Sequence, residues 1–491
     1  MGRNAKVVIG SDGVDRRETG YYSTPSFVVE FMAHELLAYR PNARRVLDPC
    51  VGRGELAAPF AREGLEVIGI DITDRKPRHC SEFIVADFLE MAAVSMDKTL
   101  FSQPRFPSAD IIVANPPYNC HETEYIRDNK QRLVASFGKS TSLNMYSLFI
   151  RAIIECAKEE AIIGLVVHDS FLTAVGHKEL RDYILTNCII RNLHLCPTSL
   201  FLEQGADVRT CLLVIEKRRP EEDSYVKVSN RQATVIEFKN TLEIGAFDRR
   251  RLSELKLKGQ VDNQEIVIGL VPALATLFSG RRLGQVAPCI TGVSTGNDAK
   301  YLRSVRQDGF SIPFYKNPAS RRFYTEPDGF LIDEYDSESR SVPSFMVRNR
   351  NLLLKGGLSC SSVGVAFGAA VRPPDTLCGV NPNVIVEETD KWWLLAYLNS
   401  RLCLYLLRGV LLRSNMVTAG YASRIPVPEF DKQTRSNLAN IAQNAHQNAR
   451  SRTGGEGERA LIDELVEATL MLGDSVTEQL RAFSADPTRL T

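Results

Sequence analysis

Three short stretches carry residues whose types and spacing could do chemistry. In VLDPCVGRGELA (46–57) an apolar run ends at Asp48, glycines stand at Gly52 and Gly54, and a helical pattern follows. Glycines in such a turn let the backbone approach a ligand closely, and the helix start offers free N–H groups. Asp71 closes the next apolar run about 20 residues beyond Gly52, the separation at which an acid accepts bonds from ribose hydroxyls. The pair points to an adenosine-containing ligand, either a dinucleotide or something smaller. The third stretch is Asn115-Pro116-Pro117-Tyr118. Two adjacent prolines end a strand and donate no hydrogen bonds, so the backbone is held rigid. An amide oxygen beside a carbonyl makes a pair of acceptors suited to the two hydrogens of a planar amino group. The ring of Tyr118 behind them can stack on the plane that carries that group.

The elements that must position these residues alternate. RRVLD (44–48), EVIGID (66–71), EFIVAD (82–87), DIIVAN (110–115), AIIGLVVH (161–168), IIRNLHL (189–195) and VRTCLLVIEK (208–217) read as strands. Their near-continuous apolar character is that of parallel strands buried on both faces. Helical patterns fall between them, in ELAAPFAREG, MYSLFIRAIIECAKEE (145–160) and KELRDYILTN (178–187). The alternation predicts a doubly wound α/β sheet, with its site just beyond Asp48, Asp71, Asp87 and Asn115 at the carboxyl ends of the strands. Beyond residue 220 the polar PEEDSYVKVSNRQ reads as a linker, so residues 221–275 are expected to form a linker or extension. Prolines and glycines between 276 and 430 predict a β-rich, loop-rich domain. Residues 431–491 read as a helical segment of two helices separated by the Gly-Gly-Glu-Gly break.

Asn-Pro-Pro-Tyr after the fourth strand, with Asp48 and the glycine loop upstream, resembles the S-adenosylmethionine-dependent amino methyltransferases. GYYSTPSFVVEFMAHELL (20–37) stands before the glycine loop and resembles the Thr-Pro cofactor motif of DNA adenine methyltransferases. That order, with a long trailing region, is similar to the gamma subgroup of restriction–modification systems. The resemblance implies a Rossmann-like catalytic domain over 1–220, a mixed, β-rich target-recognition domain over 276–430 and the helical segment behind it. It implies S-adenosyl-L-methionine as methyl donor, held by Thr24, Asp48, Cys50, Gly52 and Gly54 at the methionine end. Asp71 would hold the ribose, and Asp87, Phe88 and Phe149 the cofactor adenine. Asn115 and Pro116 would accept the N–H groups of the target, with Pro117 stiffening the turn. Tyr118 and Phe201, the latter in SLFLEQGADVRTCLLVIEK (199–217), would stack on a flipped adenine in double-stranded DNA. A separately encoded restriction endonuclease is the implied partner.

The same tetrapeptide occurs in enzymes that methylate a protein glutamine, and related motifs act on RNA, so these substrates stay open, as does a catalytically silent DNA-binding specificity protein. The long C-terminal region favours DNA. Its interspersed Arg321, Arg322, Arg348, Arg350, Lys355, Arg372, Arg413 and Arg424 suit phosphates and guanine edges. Lys and Arg total 60 against 59 acids, so a basic face would have to be local rather than global. Eleven cysteines without a C-x-x-C pair argue for reduced thiols, and no metal-ligand spacing is present among the seven histidines. The first residues lack an apolar leader pattern, and Trp392–Leu412, interrupted by Arg401 and Arg408, reads as a buried helix rather than a membrane span. A cytoplasmic protein without a membrane partner is the expectation.

Overall fold

The structure is a computed structural model that describes residues 22–96, 106–118, 124–139, 141–205, 208–220, 222–257, 259, 264–318, 321–363, 366–412, 416–452 and 454–485. The first residues of the GYYSTP motif and Arg413 lie outside the described residues. The chain divides into two compact units, one formed by residues up to 257 with 263–269, the other by 258–262 with 270–491.

Among the described residues the first unit is built on a nine-stranded sheet. Helix α1 (Ser26–Tyr39) leads into β1 (Arg45–Asp48), α2 (Ala58–Arg62), β2 (Glu66–Asp71), β3 (Glu82–Val85), α3 (Phe88–Met96) and β4 (Ile111–Ala114). Then come α4 (Glu124–Asp128), α5 (Lys130–Phe137), α6 (Met145–Cys156), β5 (Ile162–His168), α7 (Lys178–Asn187), β6 (Ile189–Leu195), β7 (Thr210–Glu216), β8 (Tyr225–Ser229), α8 (Val235–Ile244) and β9 (Asp248–Arg251). The spatial order is β3-β2-β1-β4-β5-β7-β6-β8-β9. The strands from β3 to β5 are parallel, and β7 inserts antiparallel between β5 and β6.

Both faces are buried, as the apolar runs require. Leu47, Ile112 and Leu165 face one core with Leu148 and Ile153 of α6, while Val46, Ile111, Val113 and Val166 face the other with Val28, Met32 and Leu36 of α1. Each fully buried aliphatic side chain stabilises by roughly 1.5–3 kcal/mol. Helix α6 is started by Asn144, whose side-chain oxygen accepts from the Ser147 N–H at 3.2 Å.

The sheet does not end at residue 220. The segment read as a linker holds β8, parallel to β6, and β9, antiparallel to β8. Val226 and Val228 are buried, and Lys227 reaches the buried Glu35 of α1 at 2.8 Å. The alternation in Tyr-Val-Lys-Val-Ser is a strand pattern that polar neighbours conceal.

The second unit carries two four-stranded sheets and a two-stranded one among the described residues. Its helices Lys432–Arg450, Glu456–Thr469 and Asp474–Ala485 number three where two were expected. They are continuous with the β-rich part: the His446 ring nitrogen bonds the Phe323 carbonyl at 2.9 Å, and Arg401 pairs with Glu467. The apolar Trp392–Leu412 stretch is not one helix. It breaks at Ser400 between Glu388–Asn399 and Arg401–Leu404, continues in a wider turn over Tyr405–Leu411, and bends by 66°. Leu394, Leu398, Leu402 and Leu406 along it are fully buried. Among the described residues no single helix is long and apolar enough to cross a membrane.

The basic residues of this unit divide. Arg321, Arg348, Arg350 and Lys355 are exposed. Arg372 and Arg424 are buried instead, and Arg322 half-buried. Arg372 donates to the carbonyls of Thr376 at 2.8 Å and Leu353 at 3.2 Å, so it closes a loop and faces no phosphate.

Candidate active site

The carboxyl ends of β1, β2 and β4 gather the residues picked out from the sequence. Gly52 and Gly54 both have positive φ, 55° and 88°. A Cβ on Gly54 would lie 2.2 Å from the Arg78 carbonyl oxygen, so only glycine fits there. Asp71 fixes the loop from below: one carboxylate oxygen accepts from the Gly52 N–H and the other from the Thr73 N–H, both at 2.9 Å. Asp48 is buried and accepts from the Cys50 N–H at 3.1 Å. Burial pushes its carboxyl up to about 8, against the Cys50 N–H and with the charges of Asp71 and Glu55 adding to the rise. The Cys50 thiol, itself pushed well up by burial, lies against the Asn115 backbone N–H. The glycine loop and the tetrapeptide are therefore one site.

Asp87 stands before α3 and caps it, accepting from Leu89 N–H at 2.9 Å and Glu90 N–H at 3.2 Å. Its other oxygen takes the Tyr125 hydroxyl at 2.6 Å, with Arg132 at 3.4 Å. Phe88 and Phe149 are both buried and pack on each other, ring centroids 5.2 Å apart.

At the end of β4, Asn115 is oriented from both sides. Its Nδ2 donates to the Tyr22 carbonyl at 2.9 Å and to Thr24 Oγ1 at 3.0 Å, which spends both amide hydrogens. Its Oδ1 accepts from the Tyr118 hydroxyl, whose oxygen also lies 3.2 Å from the Val166 carbonyl. Three rings surround this point. Tyr22 and Tyr118 are stacked at 6.0 Å, and Phe201 lies 6.0 Å from Tyr118 and 6.2 Å from Tyr22. Phe201 is fully buried beneath the other two. Burial raises the Tyr118 hydroxyl well above the ordinary phenol range, so it stays a donor. The outcome is an amide oxygen held in one orientation inside an aromatic slot, next to a carboxylate-lined glycine loop.

The sequence profile of the N-6 DNA Methylase family matches residues 13–262. The chain belongs to the N-6 DNA methylase family. Among relatives within reach of this N-6 DNA methylase, the type II methyltransferase M.BanIII of Aneurinibacillus aneurinilyticus is 26% identical over 218 residues, 38% of this chain and 37% of that protein. M.BsuBI of Bacillus subtilis is 25% identical over 244 residues, 44% of this chain and 47% of that protein. The match thus spans less than half the length of either relative. The fold extends further. It overlays the type IIL restriction-modification enzyme MmeI, solved in complex with DNA, with a TM-score of 0.57 at 12% identity, over 96% of this chain and 78% of that one. The DrdV–DNA complex overlays with a TM-score of 0.53 at 13% identity, over 88% of this chain and 57% of that one.

Sequence reasoning missed several residues of this methylase site. Tyr22 sits two positions before Thr24 in the quoted motif and supplies a ring and a carbonyl. Tyr125 and Arg132, which engage Asp87, carry no local signal. Gln204 bonds the Ser23 backbone twice, at 2.8 and 2.7 Å, from the turn that bears Phe201.

Proposed function

We propose that this chain transfers a methyl group from S-adenosyl-L-methionine to the exocyclic amino nitrogen of an adenine flipped out of double-stranded DNA at a specific sequence, within a restriction–modification or related defence system. One observation carries the reading. Asn115 Oδ1 is aimed, by two bonds through its own amide hydrogens, into a slot walled by Tyr22, Tyr118 and Phe201. The Tyr118 hydroxyl donates to that oxygen, the bond a target amino N–H would make.

The cofactor side fits a ligand that presents an ammonium and vicinal hydroxyls. Asp48 is a buried carboxyl whose charge burial disfavours, and a cation beside it relieves that cost. Thr24, Cys50, Gly52 and Gly54 would line the methionine end, Asp71 the ribose, and Asp87 with Phe88 and Phe149 the adenine. When bound, S-adenosyl-L-methionine supplies the electrophilic methyl group. The chain's own work is alignment and electrostatics. Asn115 Oδ1 and the Pro116 carbonyl accept the two N–H bonds of the target, which draws its nitrogen toward tetrahedral geometry and frees the lone pair. Pro117 keeps that pair of acceptors rigid. Tyr118 and Phe201 stack on the extruded base, whose removal from the duplex costs a few kcal/mol. Recognition of the sequence falls to the second unit, where Arg321, Arg348, Arg350 and Lys355 are among the exposed basic groups.

The test incubates the full chain with methyl-tritiated S-adenosyl-L-methionine and duplex DNA, then separates the nucleosides. The expected product is N6-methyl-deoxyadenosine at a subset of sequences. Label that enters RNA or protein but not DNA overturns the proposal.

A further inference from the structure

The wall of the base slot formed by Phe201 comes from the turn between β6 and β7, while Tyr22 and Thr24 come from the segment ahead of α1. Nothing in the covalent chain joins these two pieces: Ser23 and Gln204 are 181 residues apart. The Gln204 side chain bridges them. The Gln204 carboxamide accepts from the Ser23 N–H through Oε1 at 2.8 Å and donates to the Ser23 carbonyl through Nε2 at 2.7 Å. This is the paired donor–acceptor pattern that a neighbouring strand would offer the Ser23 backbone, made here by an amide side chain. Gln204 closes a short 3-10 turn over Leu202–Gln204 and is followed by Gly205 in the left-handed region. Its own N–H returns to the Phe201 carbonyl at 3.0 Å. The turn carrying Phe201 and the segment carrying Tyr22 are thus held in one frame.

That frame bears on chemistry because of what flanks Ser23. Tyr22 supplies a carbonyl, and Thr24 a hydroxyl, to the amide of Asn115. A shift of Ser23 relative to the Phe201 turn moves both the acceptor and the wall of the slot. Asp48 and Asp71 are placed by β1 and β2 and by the N–H groups of Cys50, Gly52 and Thr73.

We propose that Gln204 is a positioning residue for the target base: by bridging the Ser23 backbone it registers Phe201 against Tyr22 and Asn115, and so sets how a flipped base is held. This rests on the DNA-methyltransferase reading above, and the experiment separates the two. The full chain and its Gln204→Met and Gln204→Ala variants are compared on a duplex containing a methylation site mapped for the wild type. Gln204→Met keeps the side-chain volume and loses both bonds, whereas Gln204→Ala loses the volume as well as the bonds. Three quantities are read: transfer kcat and KM for DNA, fluorescence of 2-aminopurine at the target position, and the Kd for S-adenosyl-L-methionine.

Both variants should lose transfer efficiency alike, by roughly 10- to 100-fold for two neutral hydrogen bonds. The loss should fall mainly on kcat and be accompanied by a weaker 2-aminopurine signal, with the cofactor Kd moving far less than turnover. An active wild type with both variants unimpaired overturns the role of Gln204 and leaves the function standing. A normal Gln204→Met with a damaged Gln204→Ala makes the residue a space-filler and overturns it too. Equal losses in cofactor affinity, melting temperature and turnover also refute a positioning role. A wild type that transfers no methyl group to any DNA overturns the function itself and this inference with it.

Discussion

Removing the Asn115 side chain tests the proposed chemistry most directly. Asn115→Ala deletes the Oδ1 acceptor and the two bonds that aim it, to the Tyr22 carbonyl at 2.9 Å and Thr24 Oγ1 at 3.0 Å. In folding terms these two bonds and the one from the Tyr118 hydroxyl to Oδ1 are three neutral bonds at a half-buried site, about 0.5–1.5 kcal/mol each, so the chain should still fold. In catalysis the loss is larger, since one preorganised acceptor is worth on the order of 3–4 kcal/mol, a factor of about 10² to 10³ in turnover. Thr24→Val isolates the aiming. It keeps Oδ1 and removes one of its two anchors, which costs about 1 kcal/mol of alignment and roughly a fivefold loss in rate. Because Thr24 acts on the target through Asn115, its effect should vanish in the Asn115→Ala background, a coupling that a double-mutant cycle measures. Single-turnover transfer with saturating cofactor and DNA is the assay, since saturation removes any contact that Thr24 makes with the cofactor. Near wild-type turnover in Asn115→Ala, or additive losses in the double variant, would refute the reasoning.

Three further outcomes are expected. Tyr118→Phe keeps the ring and frees Oδ1 from its hydroxyl partner, so it should flip 2-aminopurine at least as well as wild type, whereas Tyr118→Ala should lose about 1–3 kcal/mol of stacking; equal damage from both would argue against a stacking role. Asp48 near 8 holds a proton at pH 6.5 in the free chain, and an ammonium arriving beside it drives that proton off. Cofactor affinity should therefore rise from pH 6 toward 8 and fall again once the cofactor's own amino group, with an ordinary pKa of about 8, deprotonates; calorimetry in buffers of different ionisation enthalpy should detect proton release, absent in Asp48→Asn. A fragment ending at Lys217 lacks β8 and β9 and strips Lys227 from Glu35, so it should melt without cooperativity, while a fragment ending at Gly269 should unfold cooperatively and bind the cofactor.

What could be read from the sequence follows from how locally each feature is encoded. β2 and β6 and helix α7 fall at the limits that apolar periodicity gave, because strands buried on both faces are written as unbroken apolar runs. β8 escaped because two of its five residues, Tyr225 and Lys227, face away from the core. The break at Ser400 escaped because a buried apolar helix has no polar stripe to lose. At the site, Asp48 and the Asn-Pro-Pro-Tyr turn are each encoded within a dozen residues and were visible. Tyr22 and Gln204 act on partners 93 and 181 residues away, and nothing local marks them. Arg372 shows the converse: its type suits a phosphate, but its surroundings turn it onto loop carbonyls.

The order of the motifs also has a structural reason. Asn115 ends β4, and the groups that orient its amide lie at the start of α1, in Tyr22 and Thr24. Helix α1 packs across the face formed by Val46, Ile111 and Val113, and at its far end the Tyr39 hydroxyl bonds Asn192 of β6 at 2.7 Å. The chain can then enter β1 at Arg45, run back along the sheet and deliver Asp48 to the edge where α1 began. One helix therefore brings the Thr-Pro segment to the tetrapeptide and starts the strand that carries the glycine loop. Thr24 Oγ1 on the Asn115 amide and the Cys50 thiol on the Asn115 N–H are contacts through which that arrangement would tie the proposed cofactor half to the proposed base half. A substitution that displaces α1 along the sheet should thus disturb both halves together, whereas one confined to the Phe201 turn should disturb chiefly the base half.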